Sequence, residues 1–160
     1  ATWPGPVYCR LNRNEVPVLF DDTYTPQIGR AMILRPGQDV TLIGNGILLG
    51  RCLDAAEQLA TQGVNARVLE VHTVKPLDEA AVLQAAQETG ALVTAEEHSI
   101  IGGLGGAVAE VVANHWPVPV KRVGIADRFA ETGPYDALLD HYGMAVADIL
   151  EAARQSIALK

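Results

Sequence analysis

Residues 91–110 constrain this chain more than any other stretch. The run Ala91-Leu92-Val93-Thr94 has the β-branched and aliphatic content of a buried strand. Ionisable residues follow at Glu96, Glu97 and His98, and then come Gly102, Gly103, Gly105 and Gly106. Leu104, Ala107, Val108, Val111 and Val112 recur at i, i+3, i+4, i+7 and i+8, which is one face of a helix. The segment reads as strand, charged loop end, glycine turn, helix. In open α/β sheets, loops at the carboxyl ends of strands are where ligands and partners meet the fold.

Glycines between a strand and a helix suggest a phosphate cradle. A dinucleotide fingerprint needs G-x-G-x-x-G, so that backbone can approach a pyrophosphate at a helix N-terminus. Gly103-Leu104-Gly105 begins that pattern, but its last position is Val108, and no Gly-Lys-Ser/Thr follows. Glycine equally serves close packing. The favoured reading is a helix N-terminus packed tightly against a neighbour, with a regulatory nucleotide or anion site as the alternative.

Elsewhere the chain alternates between strand and helix periods. Val7–Leu11 reads as a short strand fenced by Pro4, Pro6 and Pro17, and residues 21–27 as a polar linker. Strands over 31–34 and 39–43 flank the turn pair Pro36-Gly37. A helix reaching Gln62 buries Leu49, Cys52, Leu53, Ala56 and Ala60, with Gly63 just past its end. A strand over 66–71 leads to a helix that Asp78 caps, with Leu77 and Val82 as a hydrophobic staple and Gly90 as terminator. Val118–Ile125 forms a further strand, and Pro119 places it at an edge or confines the proline to its start. Helices around 135–141 and 146–157 close the chain. Such alternation implies a largely parallel sheet with helices on both faces.

The 160 residues suit one domain plus a fragment of another, and 49% hydrophobic content argues for a packed core. A net charge of −7 argues against general nucleic-acid binding, which needs basic patches. Cys9 and Cys52 have no metal-ligand spacing, so a reduced, cytoplasmic setting is expected. The apolar runs are too short to span a membrane, and residues 1–5 lack the features of a signal peptide.

Where strand ends converge, polar groups gather: Asn45, His72, Glu96, Glu97, His98, Asp127 and Arg128. Histidines near carboxylates can bind a divalent metal or move protons. The short ligand spacing of zinc sites is missing, and hydrogen-bonded loop ends packing on another domain are the simpler reading. Ser99 beside His98 is no nucleophile–base pair, because neighbours in sequence point apart. Arg10 and Arg13 end the first strand, and an arginine there can take a carboxylate or phosphate bidentately.

Four blocks carry a family resemblance. They are Gly5-Pro6-Val7-Tyr8-Cys9-Arg10-Leu11-Asn12-Arg13, His72-Thr73-Val74-Lys75-Pro76-Leu77-Asp78, residues 94–110, and Arg122–Phe129 followed by Thr132-Gly133-Pro134-Tyr135. In this order they resemble the C-terminal section of transketolase. The resemblance implies an α/β fold: a three-layer α/β/α domain on a five-stranded, mostly parallel sheet whose first strand is antiparallel. It implies that residues 1–20 are the tail of a preceding pyrimidine-binding domain, 21–27 the linker and 28–160 the C-terminal domain. Transketolases move a two-carbon ketol unit between sugar phosphates with thiamine diphosphate and a divalent metal, Mg or Ca. The diphosphate motif and the activating glutamate of that family belong to earlier domains, so no cofactor and no catalytic residue is expected in this chain. By motif position, Arg13 matches the arginine that holds substrate phosphate. His72, Glu96, His98 and Asp127 would form a strand-end pocket or interface. The implied partners are the thiamine-binding domains of the same enzyme, upstream or on a separate subunit, within a homodimer; neither nucleic acid nor membrane is expected. Deoxyxylulose phosphate synthase and the beta chain of 2-oxo acid dehydrogenases share the fold and are the alternatives within it.

Overall fold

A computed structural model describes residues 3–12 and 14–160. Five strands form one sheet: β1 (Met32–Arg35), β2 (Val40–Gly44), β3 (Ala66–Glu70), β4 (Leu92–Ser99) and β5 (Val120–Ile125). Their spatial order is β1-β3-β2-β4-β5, with β1 antiparallel to β3 and every other pairing parallel. The helices are α1 (Leu48–Thr61), α2 (Glu79–Thr89), α3 (Leu104–His115), α4 (Tyr135–His141) and α5 (Val146–Ile157). This is the three-layer architecture expected from the sequence.

Side-chain alternation along the central strands divides the core in two. Leu42, Val68 and Val93 point to the face covered by α1 and α5, among Leu49, Cys52, Met144 and Ile149. Their neighbours Ile43, Leu69 and Leu92 point to the opposite face, under α2 and α3, among Val82, Leu104 and Val108. Both faces of β2 and β3 are therefore buried, and even their polar residues Thr41, Arg67 and Glu70 are enclosed. Burial pushes the Cys52 thiol up to about 12, so it behaves as a small hydrophobe.

Local signals act as anticipated. Asp78 accepts the Ala81 N–H at 3.2 Å, and Gly90 closes α2 in the left-handed conformation at φ 66°. β5 is an edge strand, and Pro119 stands just outside it. Three readings need correction. Val7–Leu11 is not a strand: it lies exposed, and the sheet's edge strands β1 and β5 both pair inward. In α1 the buried position is Leu59, while Ala60 faces solvent. The third concerns β4, which runs through Glu96, Glu97 and His98 to Ser99 instead of stopping before them.

Strand order reverses about β2: the chain passes from β2 to β3 on one side and then returns to β4 on the other. The carboxyl ends of β2 and β4 flank this switch point, where open sheets place their ligand crevices.

Candidate functional site

The longer β4 explains the glycine turn. Glu96 is only 2% exposed, although it carries a carboxylate. Its side chain reaches the start of α3, where Leu104 N–H donates to Oε2 at 2.7 Å and Gly105 N–H to Oε1 at 2.8 Å. A helix N-terminus leaves orphan N–H donors and a partial positive charge, so it favours an anion. Here that anion is the protein's own carboxylate.

Close packing around this contact calls for glycine at two positions. A Cβ on Gly103 would lie 2.0 Å from Glu96 Oε2, an impossible approach. A Cβ on Gly105 would meet Thr94 Oγ1 at 2.7 Å and the Arg122 side chain at 2.9 Å. Gly102, at φ 77°, supplies the left-handed turn that returns the chain to the sheet.

Glu97, one residue on, points to the other side of the strand. Arg10 donates to its backbone carbonyl at 2.6 Å and to Oε2 at 2.9 Å, joining positions 87 apart in sequence. Tyr135, the first residue of α4, sits beside this pair with its Oη buried and without a hydrogen bond of acceptable geometry. Burial and then the nearby Glu97 carboxylate push the Tyr135 phenol up to about 12. A similar clasp holds the segment before β1: Tyr24 Oη donates to the buried Glu70 carboxylate at 2.7 Å, and Phe20 stacks on Tyr24 with centroids 4.0 Å apart. Burial, reinforced by Glu70, raises the Tyr24 phenol well above its ordinary value.

The other expected site residues have separate local partners. His72 is half-buried, with Nδ1 2.7 Å from Thr73 Oγ1, and lines a small cleft of about 150 Å³ with Tyr24 and Glu70. His98 is exposed, and its Nδ1 lies 2.8 Å from the Ser99 carbonyl. Asp127 is exposed in the left-handed conformation at φ 44°, just after β5. No hydrogen bond joins His72, Glu96, His98 and Asp127 to one another among the described residues. Arg13 lies outside the described residues.

One concavity falls where sequence reasoning did not look. A trough of about 770 Å³ lies at the opposite, amino-terminal edge of the sheet, lined by residues that include Arg35, Arg67 and Glu88. Arg67 pairs with Glu88 at 2.5 Å across its wall. The sequence sign of it is Arg67, a charged residue near the start of the buried strand β3.

Comparison with known proteins identifies the setting. The family model described as "Transketolase, C-terminal domain" matches residues 29–149. This chain belongs to the transketolase family. The transketolase match continues at the level of whole relatives. The 6-deoxy-6-sulfo-D-fructose transketolase subunit SqwH of Clostridium sp. (strain MSTE9) is 48% identical over 151 residues, covering 94% of this chain and 47% of that protein. The putative transketolase C-terminal section of Methanocaldococcus jannaschii is 40% identical over 147 residues, covering 90% of this chain and 46% of the relative. A solved structure, "Split gene transketolase, inactive beta4 tetramer", superposes with a TM-score of 0.88 at 43% identity, covering 91% of this chain and 48% of that one. The chain therefore spans about half the length of each of these relatives. Among the described residues, no helix is long and apolar enough to cross a membrane.

Transketolases as a family use thiamine diphosphate and a divalent metal in the full enzyme. The residues of this domain do not fit that cofactor. The glycine turn that resembles a diphosphate cradle gives its donors to Glu96. At the start of α1, Arg51 is committed to Asp136, Asp140 and the Met144 carbonyl.

Proposed function

We propose that this chain is the C-terminal section of a transketolase that transfers a two-carbon ketol unit between sugar phosphates, and that the section alone serves assembly. The filled helix N-terminus carries this reading. The domain has spent its phosphate-like cradle on an internal carboxylate, so cofactor chemistry falls to the preceding thiamine-binding domains. Residues 1–20 are then the tail of the pyrimidine-binding domain, 21–27 the linker and 28–160 the domain proper. Their roles explain why the N-terminal segment exposes Tyr8, Leu11 and Val18 at 83–90%. His72, Glu96, His98 and Asp127 belong to the edge that faces those domains. The intact enzyme is a cytoplasmic homodimer of such units, and its metal is held outside this chain.

The chain's own contribution is positioning. Arg10 ties the incoming segment to β4 through Glu97, and Tyr24 ties the linker to β3 through Glu70. Both clasps sit at carboxyl ends of strands, so they orient the C-terminal domain against whatever precedes it. The test is reconstitution: this chain with the upstream section should transfer ketol units between sugar phosphates when thiamine diphosphate and magnesium are present. Each part alone should not. Transfer by this chain alone would overturn the assignment.

Arg13 is the residue proposed to hold substrate phosphate. Arg10 is already engaged with Glu97, which separates the two arginines by role. Hydrogen bonds between charged groups are worth roughly 1.5–3 kcal/mol, so Arg13→Ala should lower kcat/KM about ten- to a hundredfold. The measurement pairs phosphorylated with unphosphorylated acceptors in the assembled enzyme. The loss should be confined to the phosphorylated ones, and an equal loss for both would assign Arg13 a structural role.

A further inference from the structure

We propose that Phe129 is the anchor by which this domain docks on the preceding domain of the same polypeptide; the proposal rests on the reading of the chain as a C-terminal section. Phe129 is 101% exposed, the most exposed of the large hydrophobic side chains. Single exposed apolar residues are ordinary on a protein surface, and what sets Phe129 apart is its support. This loop is braced on both sides of the ring.

Before Phe129, Asp127 adopts φ 44° and its N–H returns to the Ile125 carbonyl at 3.0 Å. Arg128 donates to the His141 carbonyl at 3.0 Å, and its guanidinium lies 4.5 Å from the centroid of the Tyr142 ring. After it, Glu131 N–H donates to Tyr142 Oη at 2.6 Å, and that hydroxyl in turn donates to the Phe129 carbonyl at 3.3 Å. Tyr142 itself is only 6% exposed, so the brace is anchored in the core. The backbone on each side of Phe129 is fixed while the ring is held in water. A preorganised aromatic loses little entropy on burial, which is the property of an interface hot spot.

Position and length indicate the occupant. The loop leaves the carboxyl end of β5 and enters α4 at Tyr135, which sits on the Glu97–Arg10 pair. Arg10 belongs to the segment that leads toward residue 1, and its neighbours Tyr8 and Leu11 are 90% and 83% exposed. Phe129 and that segment thus share one edge of the domain. The split transketolase structure and the SqwH relative are each about twice as long as the part matched here, and the matched part is the C-terminal domain. On the proposed reading the remaining half precedes it and enters at this edge.

The experiment uses the full-length subunit, with its partner subunit where the enzyme is split, carrying wild-type Phe129, Phe129→Ala or Phe129→Leu. Amide hydrogen exchange is followed across 126–131 and across the preceding domain. Phe129→Ala should speed exchange tenfold or more both in the loop and in one segment of the preceding domain, and lower the melting temperature. Phe129→Leu should recover part of both. Unchanged exchange in the preceding domain, with the loop alone affected, would overturn the proposal. So would a loss of dimer mass without any change in the preceding domain, which would assign Phe129 to contact between copies. A wild-type subunit that lacks ketol transfer would defeat the proposed function, and the exchange result would still decide whether Phe129 docks.

Discussion

Replacing Glu96 by alanine should destabilise the domain by about 3–5 kcal/mol, because two buried N–H groups lose a charged acceptor at once. Leu104 N–H and Gly105 N–H are sealed beneath the β4–α3 turn, so no outside group replaces the carboxylate. The positive end of the α3 dipole would also lose its counter-charge. For a domain of this size, the melting temperature should fall by roughly 10 °C. Glu96→Gln keeps one oxygen acceptor but sets an amide NH2 against the second N–H, so it should fall between the two. Chemical denaturation of the three proteins checks the order. If Glu96→Ala were as stable as wild type, the helix start would not depend on this carboxylate.

Gly103→Ala should be about as damaging, for the complementary reason. The three nearest atoms to the added methyl all belong to Glu96, at 2.0, 2.8 and 3.0 Å. The methyl must therefore expel the carboxylate or bend the strand–helix turn, and either outcome costs about 3 kcal/mol or more. Because the clash is with one side chain, the two substitutions should be strongly non-additive. In the Glu96→Ala background, Gly103→Ala should cost less by about 2–3 kcal/mol. A double-mutant cycle measured by urea unfolding reads this coupling. Equal cost in both backgrounds would mean that Gly103 is needed for its backbone alone.

These two residues also show what the sequence could and could not disclose. The turn between strand and helix was legible from Gly102–Gly106, and its close-packing role followed from the missing final glycine and lysine. The object packed there was not legible. Glu96 looks like a loop residue because it is charged and stands next to Glu97 and His98. Strand alternation sends Thr94, Glu96 and His98 to one side and Ala95 and Glu97 to the other, and only the position of α3 shows which side is filled. Local chemistry fared better. Asp78 and Gly90 act within four residues of themselves, so their capping roles were readable. Gly37 was readable as a turn former, but not as the residue whose missing Cβ lets backbone approach Arg67 N. The expected strand Val7–Leu11 has strand composition, yet a strand exists only through a partner, and none is paired with it among the described residues. Alanine carries weak phase information in α1, so its sequence admits a stripe through Ala60 where the structure buries Leu59. The proposed site at Arg13 rests on motif position within the transketolase family.

The α3 N-terminus is already neutralised from within, which leaves its two N–H donors unable to hold a diphosphate. Backbone amide resonances of Leu104 and Gly105 report on it directly. Wild-type protein should show no saturable shift of either resonance on titration with pyrophosphate or with thiamine diphosphate and magnesium. Calorimetry of the same titrations should show no binding heat. Saturable movement of both amides at micromolar ligand, with matching heat, would mean that an external phosphate displaces Glu96, and would contradict the account.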